Sequence, residues 1–523
     1  MQNKAKVGKI FFDGASALAV ATVVTKILGL LYKAPLSRIL GDEGMGYFNS
    51  AYTVYTFFYI LCSAGVPKAI TIIISENDAK NRRANEKGII RSALLAFLLL
   101  GVTLTALFIG FSDEICGIIK NNGALLTMLT IAPSILFVSL AGVAKGYLNG
   151  NSRLVPLAVS QLIEGSAKFF LGIAFAIIGA RRGMPLPLLS AFTVLGITLG
   201  SIFSALYLLI CAKRVIPRDA PVYRNNPVGI VKRIFKIAFP LTLSAAVMSI
   251  SNMVDLVTIM DRLHAIGYDE ASASALYGNY TTLAVPMFNL IVALVSPFFI
   301  AALPMLSRSY SSNDRQSFEG ELGIALKKSF FIAVPSCFAF IFYSKEILSI
   351  IFEREAAELG APLLTFLAPS LIFLTGQSII NTALEATGHY KAPIITMLIG
   401  VVPKLAASYF LISNEAVGIA GAPIGTVLCY ASGFLASVLI LYTQTDLHAP
   451  VFRELLRPFA ASVGAAAISE LLKNCMTEKL PELAFSVITV IIFGFLYLVF
   501  YAFSLVWNRN KWNYLSKCTK KSS

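Results

Sequence analysis

The stretch "GIIRSALLAFLLLGVTLTALFIGF", Gly88 to Phe111, decides the fold class, because after Arg91 it contains no charged residue. As a helix rising about 1.5 Å per residue it is long enough to cross ~30 Å of hydrocarbon. A strand of a membrane β-barrel would alternate apolar and polar residues over about 10 positions, whereas this run is continuously apolar. Stretches of the same kind recur along all 523 residues, which are 57% hydrophobic and 14% charged with a mean hydropathy of +0.75. The chain therefore reads as an all-α polytopic membrane protein.

Working outward from Gly88–Phe111, about fourteen spans are expected. They fall near 11–40, 47–75, 88–111, 124–143, 154–179, 188–211, 234–261, 278–306, 325–343, 361–384, 392–412, 419–442, 455–472 and 483–507. Lys4, Lys6 and Lys9 lead into a long first segment with polar interruptions, which reads as a retained helix and not as a cleaved signal. The formal net charge of +15 is explained by topology and not by nucleic acid. Lys80, Arg82, Arg83, Lys87 and Arg91, then Lys213, Arg214, Arg218, Arg224, Lys232, Arg233 and Lys236, then Arg509, Lys511, Lys517, Lys520 and Lys521 all fall on one side. Asp42, Glu43, Asp113, Glu114, Asp269, Glu270, Glu353, Glu355 and Glu358 fall on the other, with Arg181 and Arg182 against the trend. This is the positive-inside pattern of a multi-pass membrane protein with both termini cytoplasmic, and Trp507 and Trp512 flank the last span as interfacial aromatics do.

The chain also repeats itself. Tyr47, Asn49 and Pro67 have counterparts 230 positions on in Tyr277, Asn279 and Pro297. "YLNGNSRLVP", ending at Pro156, and "LEATGHYKAP", ending at Pro393, each open a span with a central lysine, Lys168 and Lys404. The division expected is an N-lobe of six spans over 1–211, a basic cytoplasmic linker over 212–233 and a C-lobe of six spans over 234–442. A helix pair over 443–507 and a basic tail over 508–523 complete the chain. An even number of spans per lobe gives both the same orientation, hence pseudo-two-fold symmetry about the membrane normal, an arrangement associated with a midplane site and alternating access.

No motif for bond-making chemistry emerges. Cys62, Cys116, Cys211, Cys337, Cys429, Cys475 and Cys518 lack paired spacing, and His264, His389 and His448 are isolated, so neither a metal site nor a disulfide framework is expected. "GDEGMG", Gly41 to Gly46, joins two membrane helices and not a strand to a helix, and so reads as a turn. The chain is expected not to be an enzyme and to need no cofactor.

"KILGLLYKAPLSRILGDEGMGYFNSAYTVYTFFYILCSAGVPKAITIIISE", Lys26 to Glu76, resembles the first two helices of the multidrug/oligosaccharidyl-lipid/polysaccharide flippase superfamily, in particular its SpoVB- and MurJ-type members from Gram-positive bacteria. Lys26-Ile27-Leu28-Gly29 matches a basic residue followed by Ile-Leu-Gly, and the second basic position of that pattern falls on Tyr32 with Lys33 beside it. The extra helix pair also favours MurJ-like members over twelve-span drug exporters. The resemblance implies an alternating-access flippase for an undecaprenyl-pyrophosphate-linked sugar, typically lipid II, with cell-wall synthesis proteins as further partners. The alternatives are an exporter of another polyprenyl-linked polysaccharide precursor, a cation-coupled drug exporter, and a non-transporting scaffold of wall or spore assembly.

Buried charge then marks the candidate site. A lysine at a helix centre costs roughly 2.5–3.5 kcal/mol even on lenient scales, so Lys26, Lys168 and Lys404 are expected to face a cavity or an internal partner. Lys26 and Lys33 are two turns apart on one face, and Lys68 follows the proline of the second span. Under the resemblance, Lys26, Lys33, Lys68, Lys168 and Lys404 are candidates for binding pyrophosphate, for which a lysine is a point-charge partner. Glu164 and Lys168 have the spacing of an intrahelical ion pair. Asp255, with Ser251 and Asn252, reads either as a cation or proton site or as the counter-charge of Lys404. Asp255, Asn252 and Glu164 are thus the ion-coupling candidates, with Na+, H+ and membrane potential all open. Gly65, Pro67, Pro240 and Pro297 are candidate hinges. Gly494, in the uncharged stretch Phe485–Trp507, is a candidate opening for the lipid tail.

Overall fold

A computed structural model of the chain describes residues 2–79, 86–151, 153–216, 227–445, 447, 450–476 and 481–519. His448, residues 217–226 of the expected linker, and the basic residues Lys80, Arg82, Arg83, Lys520 and Lys521 lie outside these, as do the side chains of Trp507 and Trp512. The described residues form helices and no strand. Among the described residues eleven helices are long and apolar enough to cross a membrane, or up to thirteen if each of two bent pairs is one span. The first of them, Val20–Ser75, covers two of the spans expected from sequence. Its break is at Gly41 (φ 66°, ψ −177°), inside helix α1 (Gln2–Ser63). A positive φ at that position favours glycine, and the helix resumes at once, so "GDEGMG" is a single-residue kink and not a loop.

The chain packs as two compact units that meet in sequence at Gly278/Asn279. The first contains α1, α2 (Gly65–Ala79), α3 (Glu86–Gly110), α4 (Ser112–Ile119), α5 (Leu125–Ile131), α6 (Pro133–Gly150), α7 (Val155–Arg181), α8 (Leu186–Val215), α9 (Pro227–Ala265) and nearly all of α10 (Glu270–Asn279). Packing therefore divides the chain well after the expected linker. Helix α9, which the repeat assigns to the second half, packs on α1, α2 and α3. Ile70, Ile74, Phe97, Tyr147, Leu208, Ile234 and Ala238 are among the residues that join α2, α3, α6, α8 and α9 in one core. Lipid tails provide no hydrophobic drive between helices, so close backbone approach matters. A Cβ on Gly196 of α8 would lie 2.4 Å from the backbone N of Gly172 on α7, and one on Gly65 would lie 2.2 Å from the carbonyl of Ala238.

The second unit opens with a π-helical turn, Tyr280–Ala284, and goes on through α11 (Val285–Ser311), α12 (Arg315–Phe342), α13 (Ser344–Ser349), α14 (Arg354–Leu367), α15 (Ser370–Ala386), α16 (Ala392–Ile412), α17 (Gly421–Thr445), α18 (Val451–Met476) and α19 (Glu482–Thr519). Asp314 caps α12, accepting from the Ser317 backbone N–H at 2.9 Å and its hydroxyl at 2.6 Å, and these bonds hold its carboxyl below the usual range. The C-terminal pair is not loosely appended. Tyr497 of α19 donates to the Phe331 carbonyl at 2.9 Å, Lys473 of α18 pairs with Glu346 at 2.8 Å, and Tyr343, Phe493 and Tyr501 share a core with Tyr497.

Candidate functional site

The site grows from a row of rings on α1. Phe48, Tyr52, Tyr55 and Tyr59 follow one another at intervals of four, three and four, which puts them on one stripe of a helix. Their ring centroids succeed one another at 6.1, 5.9 and 5.9 Å, and Tyr32, from before the Gly41 kink, extends the row at 6.2 Å from Phe48. Helix α7 presents two charges to this row. Lys168 holds its Nζ 4.7 Å from the centroid of Tyr52 and 5.4 Å from that of Tyr32, both within cation–π range. Glu164, one turn earlier, lies in the electrostatic neighbourhood of Tyr55 and Tyr59.

Two other features complete the geometry. Lys33 donates to Asn49 Oδ1 at 3.2 Å and lies close enough to Lys168 for the two charges to interact. Asn49 in turn donates to the Met45 carbonyl at 2.9 Å, which fixes its amide. The Tyr32 side chain is 1% exposed, and its hydroxyl has no hydrogen-bond partner among the described residues. It occupies the space that Gly172 leaves, since a Cβ there would fall 2.5 Å from the hydroxyl oxygen. The intrahelical ion pair expected between Glu164 and Lys168 is not among the ion pairs of the described residues. The rings of α1 offer the ammonium a competing partner.

The other expected residues are distributed more widely. Lys26 and Lys68 are exposed at the surface of the first unit, and neither is in a hydrogen bond or ion pair of the described residues. Lys404 is 4% exposed in the second unit and is engaged by other groups. Asp255 and Ser251 are buried one turn apart on α9, whereas Asn252 is exposed and so does not share their environment. Asp255 lies near Tyr277, whose hydroxyl is 2.9 Å from that of Thr53 on α1. Of the hinge candidates, Gly65 and Pro67 open α2 just after α1 ends, and α9 bends by 41° between Leu243 and Ala245, shortly after Pro240. Pro297 lies inside α11 without a break. A Cβ on Gly494 would meet no atom within 4 Å. No group of three or more His, Cys, Asp or Glu able to hold a metal occurs among the described residues.

Just past the Gly41 kink of α1, helix α10 comes close. A Cβ on Gly46 would fall 2.1 Å from the Ser274 carbonyl, and one on Gly278 would fall 2.5 Å from the Asp42 carbonyl. Asn121 donates to the hydroxyls of Ser50 at 3.0 Å and Ser274 at 3.3 Å, and Lys120 pairs with Asp261 at 2.6 Å. Sequence reasoning missed both this crossing and the ring row, although spacing of the aromatics over 48–59 was the available signal.

Fold and site together define a polytopic helical membrane protein with a charged, aromatic-lined site inside its spans. A family described as polysaccharide biosynthesis protein matches residues 11–310, more than half the chain, and the MatE family matches 240–410. The chain belongs to the polysaccharide biosynthesis protein family, within the MOP flippase superfamily. Among its relatives, stage V sporulation protein B of Bacillus subtilis (strain 168) is 23% identical over 93% of this chain and 88% of its own length. Lipid II flippase MurJ of the same organism is 22% identical over 83% and 82%. The solved structure of a lipid II flippase MurJ in an inward closed conformation superimposes with a TM-score of 0.72 at 20% identity, covering 94% of this chain and 99% of that one.

Proposed function

We propose that this protein is a flippase that carries a polyprenyl-pyrophosphate-linked cell-wall precursor, lipid II in particular, from the inner to the outer leaflet by alternating access. The observation that carries this reading is Lys168. It sits within a membrane span, rests on aromatic faces, has Lys33 nearby, and is in no ion pair of the described residues. A basic pair at such a position suits an anionic headgroup, whose phosphate oxygens would replace the hydration each ammonium gives up. A drug exporter of the superfamily, a reading to which the MatE match lends weight, would need the opposite local charge for cationic cargo. A scaffold would need no charge in its spans at all.

In this reading both termini are cytoplasmic, and the buried Asp255 near Tyr277 is the site where an ion gradient or the membrane potential acts on the cycle. The test is complementation. Expression in a strain depleted of its lipid II flippase is expected to restore growth. Failure there with rescue of a strain lacking another undecaprenyl-linked precursor transporter would reassign the cargo. Failure in both, with the protein in the membrane, would overturn the proposal.

A further inference from the structure

The face of Tyr52 is occupied in this structure by a group that the proposed function needs elsewhere. If Lys168 is to neutralise a phosphate, it must give up some of its contact with the rings of Tyr52 and Tyr32, and those faces must then be covered by something else. An aromatic face is negative and binds whatever presents positive charge to it. An ammonium does so, and so does the apolar face of a pyranose ring, whose polarised C–H bonds point in one direction. We propose that Tyr52 is a stacking subsite for the sugar joined to the pyrophosphate, and that Lys168 holds its face in the empty carrier and transfers to the phosphate when the sugar arrives. This rests on the function proposed above and specifies how that site reads its cargo.

Two observations support the assignment. The first is connectivity: in a glycosyl pyrophosphate the sugar ring and the phosphate are one oxygen apart, so their two binding groups must be immediate neighbours. Lys168 Nζ and the Tyr52 ring are, at 4.7 Å. The second is the polarity of α7. Lys168 and Glu164 are one turn apart; the cation lies over the rings of Tyr32 and Tyr52, and the carboxylate lies in the electrostatic neighbourhood of Tyr55 and Tyr59. A carboxylate repels phosphate and accepts hydrogen bonds from hydroxyls, so the phosphate end of a headgroup belongs at Lys168 and its hydroxyl-rich end at Glu164.

The experiment uses the full-length protein in vesicles with two lipids, undecaprenyl pyrophosphate bearing a disaccharide and the same lipid without sugar. For Tyr52→Leu the expected result is at least a tenfold loss of affinity for the glycosylated lipid and less than a twofold change for the sugar-free one. Tyr52→Phe, which keeps the ring face, is expected to retain both, and Lys168→Gln to lose both. Equal losses for the two lipids in Tyr52→Leu would make Tyr52 a packing residue and overturn the subsite, as would no loss for either. Should Tyr52→Leu not fold, Tyr52→Trp places a fluorophore at the site; quenching or a spectral shift with the glycosylated lipid alone is expected, and an identical response to both lipids overturns the assignment. Wild-type protein that binds neither lipid would instead overturn the proposed function itself.

Discussion

The two copies of the internal repeat were built alike and equipped differently. Tyr47–Pro67 and Tyr277–Pro297 share their tyrosine, asparagine and proline, yet Phe48, Tyr52, Tyr55 and Tyr59 of the first become Gly278, Thr282, Val285 and Asn289 in the second. In the first copy the helix stops at Ser63 and restarts at Gly65, whereas in the second a π-helical turn leads into α11, which runs unbroken through Pro297. The central lysines differ in the same sense. Lys168 is half-buried on ring faces, and Lys404 is sealed at 4% exposed. The two stretches thus share three residues at one spacing and differ in the side chains between them, and only the first carries a row of rings beside a lysine.

The largest effect should come from the lysines. Lys168→Gln is expected to lower transport by about 100-fold, the equivalent of roughly 3 kcal/mol for a charge-assisted contact, with folded yield unchanged. Lys404→Gln is expected to act the other way, lowering thermal stability by about 1–3 kcal/mol because groups that engage it are left unsatisfied in a buried place. Transport assays beside melting curves decide between them. Two variants that fold normally and are equally dead in transport would break the asymmetry.

How much of this was legible in the sequence depends on whether local or long-range contacts decide. Helices, their approximate spans and the break before Pro67 follow from composition and from the missing N–H of proline, both local. Lys168 stood out because a charge within a span is costly wherever it points. Its partner did not, because Glu164 four residues earlier is the natural candidate along one helix, while the competing rings lie more than 100 positions away on α1. Aromatics at helical spacing within an apolar segment look the same whether they fill a core or line a site. Ser251 and Asn252 are one residue apart and only one of them is buried, a distinction set by which face of α9 meets the other helices.

Glycines offer a medium-sized test of the same frame. Gly46 lies at the crossing with α10, where a Cβ would fall 2.1 Å from a backbone carbonyl, so Gly46→Ala is expected to cost about 1–3 kcal/mol through overpacking. Gly494 faces open space, so Gly494→Ala should stay within roughly 0.5 kcal/mol in the same melting assay. If the lipid tail lies along Gly494, Gly494→Leu will impair transport of a long-chain lipid more than that of a short-chain analogue while leaving stability intact. Equal loss for both chain lengths would remove Gly494 from the tail path.

The smallest expected effect separates the two prolines. Pro67 is the third residue of α2, in the first turn, where backbone N–H groups have no intrahelical partner and proline forfeits nothing. Pro297 is deep within α11, and its absent N–H would have bonded to the carbonyl of Ala293. The preceding residue compensates: the Ser296 hydroxyl donates to that same Ala293 carbonyl at 3.0 Å. Val66, before Pro67, has no hydroxyl to do this and no need of one. Pro67→Ala should therefore change stability by no more than about 0.5 kcal/mol. Ser296→Ala should cost about 1 kcal/mol beside Pro297, the typical net value of one hydrogen bond, and almost nothing in a Pro297→Ala background, where the restored N–H supplies the donor. A double-mutant cycle of melting temperatures measures that coupling, and purely additive effects would show that the serine does not stand in for the missing amide.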